Sequence, residues 1–167
     1  MNRIAQFMTV SRARFDADWR DVFGDLPSPY DTLKLPRRAT AGSAGYDFYV
    51  PATLTLDPGE TVKVPTGMRC RIEPGWVLML FPRSGLGFKY RLRLDNTVGI
   101  VDADYFGARN EGHIFVKLTN CGEKPLSVAA GEAFCQGIFL PFGLTEDDDA
   151  EGERVGGFGS TNEGNRG

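Results

Sequence analysis

The chain has 167 residues, of which 41% are hydrophobic and 25% charged, and its formal net charge is −3. This composition predicts one globular domain and argues against a nucleic-acid or membrane partner, because such partners favour a basic surface. The 21 glycines and 10 prolines favour a turn-rich, all-β protein over a helical one.

The three cysteines are Cys70, Cys121 and Cys135, which are widely spaced and include no C-x-x-C pair. An odd number without such a pair predicts reduced thiols in a cytoplasmic protein and argues against a disulfide framework or a zinc site. The first ten residues are too mixed for a signal peptide, and no apolar run approaches the ~20 residues that span a bilayer.

Residues 1–30 are predicted to form an accessory helix with an extended lead-in. Phe15, Trp19, Val22 and Phe23 recur on one helical face, and Gly24 follows them directly as a stop signal. We expect this face to pack on the domain, and a partner-binding helix is the alternative.

From Leu33 to Phe142 the sequence alternates between short apolar runs and turn signals. Turns recur roughly every 8–12 residues, a spacing typical of sandwiches, jelly rolls and small barrels. The run from Trp76 to Phe81 is apolar on both faces and predicts a fully buried strand. Further strands are predicted at residues 88–94, 100–101, 113–119, 126–128 and 134–140. The single histidine, His113, begins one of them and is expected at the surface.

The segment 92–107 reads as a β-hairpin that carries acidic side chains. Residues 92–98 alternate as a half-buried strand does, and Gly99 permits a tight bend or a close backbone approach. Asp102 and Asp104 follow, and Tyr105 comes next. Such a hairpin could hold a water molecule on Asp102, although an ordinary hairpin with solvated aspartates fits the same pattern.

Two further segments have the composition of anion-binding loops. Arg83 supplies a fork of donors, Ser84 a hydroxyl group, and Gly85 allows backbone N–H groups to approach an anion. Gln136 begins a predicted strand, where its amide could reach an anion or a ring. No P-loop or dinucleotide-binding motif is present, and one histidine restricts the possible catalytic triads.

The C-terminal segment, residues 146–167, divides into an acidic linker and a glycine-rich arm. Residues 146–151 carry five acidic side chains and predict a solvated linker. Residues 152–167 hold six glycines and the single aromatic Phe158, which is too little apolar surface to fold alone. Their composition suits a loop that closes over a phosphorylated ring.

Taken in order, five short motifs resemble those of the homotrimeric dUTPase (dUTP diphosphatase) family. They are AGYDF at 44–48, PRSGLG at 82–87, NTVGIVDADY at 96–105 with Gly107, GEAFCQ at 131–136 and GGFGST at 156–161. The resemblance spans residues 33–161. The N-terminal helix and residues 108–111 look like additions, as in a bacterial or phage-type variant.

The resemblance implies a distorted jelly-roll (β-clip) subunit over residues 31–145, in a homotrimer whose active sites are shared between subunits. It implies hydrolysis of dUTP to dUMP and pyrophosphate, which keeps uracil out of DNA and supplies dUMP. Mg²⁺ is expected to be held by the substrate phosphates, with Asp47 contacting it through water and no direct protein ligand.

The resemblance also assigns roles to individual side chains. Asp102 matches the general base that activates water for attack at the α-phosphorus. The residues matching the uracil and deoxyribose contacts are Asn96, Gly99, Ile100, Val101, Tyr105 and Phe158. The residues matching the phosphate contacts are Arg83, Ser84, Gly85, Gln136, Arg154, Gly159, Ser160 and Thr161.

Two positions depart from the family pattern. Arg154 lies one residue nearer to the glycine-phenylalanine motif than the family arginine often does, which makes its role less secure than that of Phe158. Arg91 stands where many members have glycine.

Two rival functions fit a similar fold. A dCTP deaminase needs a catalytic glutamate in the strand after the hairpin, and this chain has Lys117 at that position. A non-catalytic nucleotide-sensing trimer is the second alternative, but it would be expected to lose Asp102 or the tail.

Overall fold

The computed structural model describes residues 2–152, which form twelve strands, two α-helices and two 3-10 turns. The helices are α1 (Arg12–Phe23) and α2 (Ser84–Tyr90), and the 3-10 turns are Tyr30–Thr32 and Ala103–Gly107. The strands are β1 (Ala5–Thr9), β2 (Arg37–Arg38), β3 (Tyr46–Tyr49), β4 (Leu54–Leu56), β5 (Thr61–Pro65), β6 (Met68–Ile72), β7 (Trp76–Pro82), β8 (Leu92–Leu94), β9 (Gly99–Val101), β10 (Phe115–Asn120), β11 (Leu126–Val128) and β12 (Ala133–Pro141).

The strands make antiparallel pairs in four sheets around one core. The largest sheet has the order β2-β3-β12-β7-β9, a second has β5-β10-β8, and β1-β6 and β4-β11 form two-stranded pairs. Buried side chains from all four sheets belong to a single hydrophobic cluster. Strand β10 shows why, because Val116 and Leu118 are buried while Lys117 between them is exposed. The predicted all-β class is confirmed.

The N-terminal helix is confirmed and packs on the domain. Ser11 caps it by accepting a hydrogen bond from the Arg14 amide, and the predicted apolar face is buried at Phe15 and Trp19. Strand β1, which the sequence pattern did not reveal, precedes the helix and pairs along its whole length with β6.

Residues 88–94 do not form the single strand predicted for them. Residues 84–90 are helical, and only Leu92–Leu94 are extended. Arg91 ends the helix in a left-handed conformation, with φ of 54°. The mixed glycine and aromatic content of this segment favours neither state locally, so its surroundings decide the conformation.

The predicted hairpin is also different in the structure. Strand β8 pairs with β10 and β9 pairs with β7, so the two strands lie in different sheets. The connection turns at Thr97, which has φ of 65°, whereas Gly99 is already in β9. A β-carbon at Gly99 would lie 3.1 Å from Leu80 Cβ, so this glycine serves a close backbone approach.

Two predictions about burial are wrong for the described chain. His113 is 0% exposed, and β10 begins after it, at Phe115. In β7 only Leu78 and Leu80 are buried, and the side chains alternating with them are half-exposed. The apolar outer face of β7 is therefore not covered by residues 2–152 alone.

No helix within residues 2–152 combines the length and the apolar character needed to cross a membrane.

Candidate active site

Two predicted phosphate-binding side chains and the aspartate predicted to contact Mg²⁺ through water meet at one end of the large sheet. Gln136 of β12 pairs with Asp47 of β3 on one side and with Phe81 of β7 on the other. Arg83, directly after β7, places its Nε 3.2 Å from Asp47 Oδ1. Gln136 donates from its Nε2 to the carbonyl of Pro82 at 3.3 Å. We call Asp47, Arg83 and Gln136 the sheet-end cluster.

Gly45 leaves room for this cluster. A β-carbon at Gly45 would lie 2.5 Å from Gln136 Oε1, too close for any real side chain. The glycine of the first motif therefore allows the glutamine of the fourth motif to lie against the chain beside Asp47.

The loop after β7 presents the other predicted phosphate contacts. Arg83, Ser84 and Gly85 are all exposed, and α2 begins at Ser84. The guanidinium of Arg83 is held on one side by Asp47, while 44% of the arginine side chain remains accessible. A planar cation fixed in this way is suited to bind an anion such as phosphate.

The predicted catalytic carboxylate starts a different feature, the turn of residues 102–107, which we call the Asp102 turn. Asp102 follows β9 directly, is half-exposed, and accepts a backbone hydrogen bond from Tyr105 at 3.2 Å. Tyr105 is 1% exposed, and its hydroxyl donates to the carbonyl of His113 at 2.6 Å. Because the Tyr105 ring is buried, it offers little surface to a sugar in the single chain. Its contact with deoxyribose stays a prediction.

Two more side chains hold the same turn. Asn110 donates from Nδ2 to the Tyr105 hydroxyl at 2.7 Å. Arg69 of β6 donates to the carbonyl of Phe106 at 2.8 Å, and its guanidinium lies 3.8 Å from the centre of the Phe106 ring. The Asp102 turn is thus fixed by contacts from β6 and from the loop that follows it.

The residues before β9 are anchored to β10. Asp95 accepts a hydrogen bond from the Thr119 hydroxyl at 2.5 Å and pairs with Lys117 Nζ at 3.1 Å. These contacts, with the Thr119 hydrogen bond as the largest cause, hold the pKa of Asp95 below its ordinary value. Asn96 is the next residue and is exposed. Lys117, at the position where a deaminase needs an acid, is the ion-pair partner of Asp95.

Strand alternation separates the remaining hairpin residues. Val101 is 1% exposed and belongs to the core, whereas Ile100 is 45% exposed on the outer face of the sheet. Val101 could contact a ligand only through its backbone. The predicted ligand contacts of Gly99, Ile100 and Val101 stay predictions.

The sheet-end cluster and the Asp102 turn lie at opposite ends of β7. Val101 pairs with Leu78 near the start of β7, whereas Arg83 follows Pro82 at its end. The antiparallel register puts Asp102 opposite Val77, six residues from Arg83. At ~3.3 Å per residue the two groups are about 20 Å apart along the strand. The fold therefore does not join them within one chain.

The cysteines lie outside this chemistry. Cys70, Cys121 and Cys135 are free, in line with the prediction. Burial, and then the nearby Asp47 charge, raises the pKa of Cys135, which makes this thiol unreactive although it neighbours the cluster. Among residues 2–152, no three His, Cys, Asp or Glu side chains are grouped as metal ligands.

Five predicted site residues lie outside the described residues. They are Arg154, Phe158, Gly159, Ser160 and Thr161. The supporting residues Arg69, Asn110 and His113 were not assigned any role from the sequence. A signal for His113 existed, because a lone histidine followed by an apolar run fits burial as well as exposure.

Comparison with known proteins identifies relatives for most of the chain. The dUTPase family model matches residues 31–162. The deoxyuridine 5'-triphosphate nucleotidohydrolase of Chromobacterium violaceum is 42% identical over 138 residues, covering 78% of this chain and 89% of that protein.

Solved structures give the same picture. A dUTPase from Streptococcus mutans superposes with a TM-score of 0.62 at 40% identity, covering 75% of this chain and 96% of that one. A mutant dUTPase from phage phi11 of S. aureus, whose structure describes the coordination of a structural Mg(II) ion, gives a TM-score of 0.65 at 19% identity. That match covers 90% of this chain and 98% of the phage protein, and it supports the fold alone.

Proposed function

The chain belongs to the dUTPase family and is a dUTP diphosphatase, and we propose that its Asp102 turn and its sheet-end cluster serve different active sites of a homotrimer. Three supports are independent of one another. The family match gives the reaction, the positions of the described side chains support their proposed roles, and the separation along β7 supports an active site shared between chains.

Asp102 is the proposed general base. Its carboxylate orients a water molecule for in-line attack and accepts one of its protons, which is then released to solvent. The water oxygen forms a bond to the α-phosphorus as the bond from that phosphorus to the bridging oxygen breaks, so dUMP and pyrophosphate result. Positioning supplies much of the rate, because the turn fixes the backbone of Asp102 before substrate arrives.

The sheet-end cluster is the proposed phosphate-binding region. Arg83, oriented by Asp47, offers parallel N–H donors to phosphate oxygens, with the hydroxyl of Ser84, the backbone of Gly85 and the amide of Gln136 beside it. These interactions neutralise charge on the leaving pyrophosphate.

Mg²⁺ fits this site as a substrate-held ion. The described residues offer no cage of several carboxylates, and Asp47 is already engaged by Arg83. Asp47 is therefore suited to contact the metal through water while phosphate oxygens bind it directly. When bound, the ion would neutralise phosphate charge and fix the triphosphate conformation.

Base recognition is proposed for the turn before β9 and for the C-terminal arm. Asn96 is exposed at the end of a segment anchored by Asp95, so its amide can pair with the uracil edge. A pocket whose donors and acceptors match the uracil edge leaves some of these groups without hydrogen bonds when cytosine binds. Phe158 stacking on the base, with Arg154, Gly159, Ser160 and Thr161 on the phosphates, completes the proposal.

An exposed apolar face supports association with further copies. On the outer side of the large sheet, Met79 pairs with both Ile100 and Ile138, so the three side chains share one face. Ile100 is 45% exposed and Leu140, beside Val77, is 41% exposed. An exposed apolar face of this kind is typical of interfaces between protein chains, and it supports the proposed homotrimer. The free cysteines suit a reducing, cytoplasmic compartment.

The separation of Asp102 from Arg83 carries this proposal, and complementation between two inactive variants tests it. Asp102→Asn and Arg83→Ala are each expected to be nearly inactive. After the two are co-refolded in equal amounts, random trimers contain intact Asp102 and Arg83 together in about a quarter of their sites.

We therefore expect pyrophosphate release from dUTP to recover to roughly a quarter of the wild-type rate. Co-refolding Asp102→Asn with the double variant Asp102→Asn/Arg83→Ala is the control, since it can form no intact site. Absence of recovery in mixed trimers verified by mass spectrometry would mean that both residues act from the same chain.

A further inference from the structure

The N-terminal helix contacts the segment after the Asp102 turn at two points. At the helix start, the Ser11 amide and hydroxyl donate to the two Glu111 carboxylate oxygens at 2.8 and 2.7 Å. Two turns further on, Asp18 Oδ2 lies 2.5 Å from Nδ1 of His113. The helix and residues 108–111, which both look like additions to the family, are therefore joined through Glu111, and His113 extends the contact beyond them.

His113 is fixed in a single protonation and orientation state. Its Nε2 accepts a hydrogen bond from the Gly67 amide at 2.8 Å, so the ring proton is on Nδ1 and is donated to Asp18. The ring is fully buried and packs 4.5 Å from the ring of Phe115. A buried ring with both nitrogens engaged cannot rotate without losing both bonds.

The contact continues from His113 into the catalytic segment. The backbone carbonyl of His113 accepts the hydroxyl proton of Tyr105 at 2.6 Å. The Tyr105 amide in turn donates to the carbonyl of Asp102 at 3.2 Å. The path from helix α1 to the proposed base thus runs through Asp18, His113 and Tyr105.

The location of Asp18 is hard to explain by helix stability alone. It lies on the buried side of α1, only 8% exposed, where a carboxylate is costly unless it is paired. Arg14 donates to it from Nε at 2.9 Å, and His113 supplies the second partner. Its oxygens therefore face donors only.

We propose that Asp18 is a positioning residue for dUTP hydrolysis, which fixes the Asp102 turn through His113 and Tyr105. The inference rests on the proposed role of Asp102, and it gives the accessory helix a part in catalysis. A helix that docked only for stability would need Phe15 and Trp19, but no buried acid.

The first test compares Asp18→Asn with Asp21→Asn. An amide at position 18 turns a donor toward Arg14 or His113 and breaks one contact with little change in volume, whereas Asp21 is an exposed acid on the same helix. We expect Asp18→Asn to lower kcat about tenfold with KM within about twofold, because only the chemical step depends on the aim of Asp102. Asp21→Asn should match the wild type.

Because the chain has a single histidine, its imidazole NMR signals report this contact directly. Natural-sequence protein labelled with ¹⁵N, carrying no histidine tag, should show an Nδ1-protonated ring with a far-shifted proton, and Asp18→Asn should lose that shift. If the imidazole signal changes and kcat does not, the contact between Asp18 and His113 has no catalytic role. Equal losses of kcat in both variants would also overturn the proposal.

Tyr105→Phe tests the path without any change to the helix, and a double-mutant cycle with Asp18→Asn tests whether the two residues act together. Tyr105→Phe keeps the ring and removes the hydroxyl group, which donates to the His113 carbonyl and accepts from Asn110. If both residues act on one path, the double variant loses little more kcat than the worse single variant, whereas separate effects multiply. Asp102→Asn assayed in parallel separates the two hypotheses. If this variant stays active, the assignment of Asp102 as base is wrong. If it is inactive while the effects of Asp18→Asn and Tyr105→Phe multiply, only the positioning role of Asp18 is wrong.

Discussion

The sheet-end cluster and the Asp102 turn are held in place by different kinds of contact. Asp47 and Gln136 are neighbours because β3 and β12 are paired, so strand register alone brings them together. Asp102 owes its place to a short turn fixed by Tyr105 and His113 through buried hydrogen bonds. One region depends on main-chain pairing, and the other depends on individual polar side chains.

The difference matches what each region is proposed to do. A phosphate group is large and charged, and several donors share its binding, so an exposed and adjustable cluster is sufficient. A general base must point at one water molecule, and small errors of position are costly. We therefore expect small changes in the cluster that leave the Arg83 guanidinium in place to affect mainly substrate binding, and changes in the turn to affect the chemical step.

The largest effect should follow from Asp102→Asn. We expect kcat for pyrophosphate release to fall by at least about 10³-fold, because the amide cannot accept the proton from water. Titration calorimetry with α,β-imido-dUTP should give a Kd within a few-fold of the wild-type value. Loss of binding with substantial residual turnover would contradict the assignment of Asp102 as base.

A smaller and opposite pattern is expected for Gly45→Ala. Its β-carbon would overlap Gln136 Oε1, and the flexible glutamine side chain should move away from the cluster. We expect KM for dUTP to rise roughly fivefold with kcat nearly unchanged, since a lost uniform binding contact raises KM alone. Gly42→Ala is the matched control, because nothing lies within 4 Å of its β-carbon. A fall in kcat alone would contradict the division of roles.

The turn region should also respond to pH through His113. Burial lowers the pKa of His113 below its ordinary value, partly offset by the hydrogen bond and charge of Asp18, while Arg14 lowers it and Glu111 raises it slightly. Protonation of Nε2 would also place an N–H group opposite the Gly67 N–H, so the hydrogen bond between them would be lost. The folded state therefore binds the proton less tightly than the unfolded chain does.

The free energy of unfolding should therefore decrease as the pH is lowered. The contribution of neutral His113 to the free energy of unfolding is fully present above pH ~6.5. It is lost as the pH falls from there toward the lower pKa of His113 in the folded state. Between pH 6.5 and 5, the free energy of unfolding should fall by up to about 1.4 kcal/mol per pH unit more than in His113→Gln. Urea titrations at fixed protein concentration measure this, and parallel curves for the two proteins would refute it.

The smallest effect is expected at Arg91, which directly follows helix α2. Its φ of 54° strains a residue that carries a side chain. Arg91→Gly should raise the free energy of unfolding by up to about 1 kcal/mol, because relief of strain exceeds the added entropy of the unfolded chain. Lys89→Gly, inside the helix, should lower it by a similar amount. Destabilisation by Arg91→Gly would show that its side chain has a structural role.

Much of the fold was predictable from local patterns. Short apolar runs between turn signals identified β11 and β12, and the spacing of Phe15 and Trp19 identified the N-terminal helix, because these signals depend only on which side chains face a core. The predictions of one strand at 88–94 and of a hairpin at 92–107 were wrong, because helix formation before Arg91 and pairing with strands far along the chain decided these conformations. Short β1 was missed because its stability comes from pairing with β6, and its five residues carry no clear pattern of their own.

The sequence by itself determined the all-β class, the family and the residue types of the candidate site, because these follow from periodicity and from five ordered motifs. Only the tertiary structure decided that Asp47, Arg83 and Gln136 meet while Asp102 lies at the other end of β7, and that His113 is buried against Asp18. Contacts between residues far apart in the chain depend on strand order and register, and those are set by how all the sheets pack together.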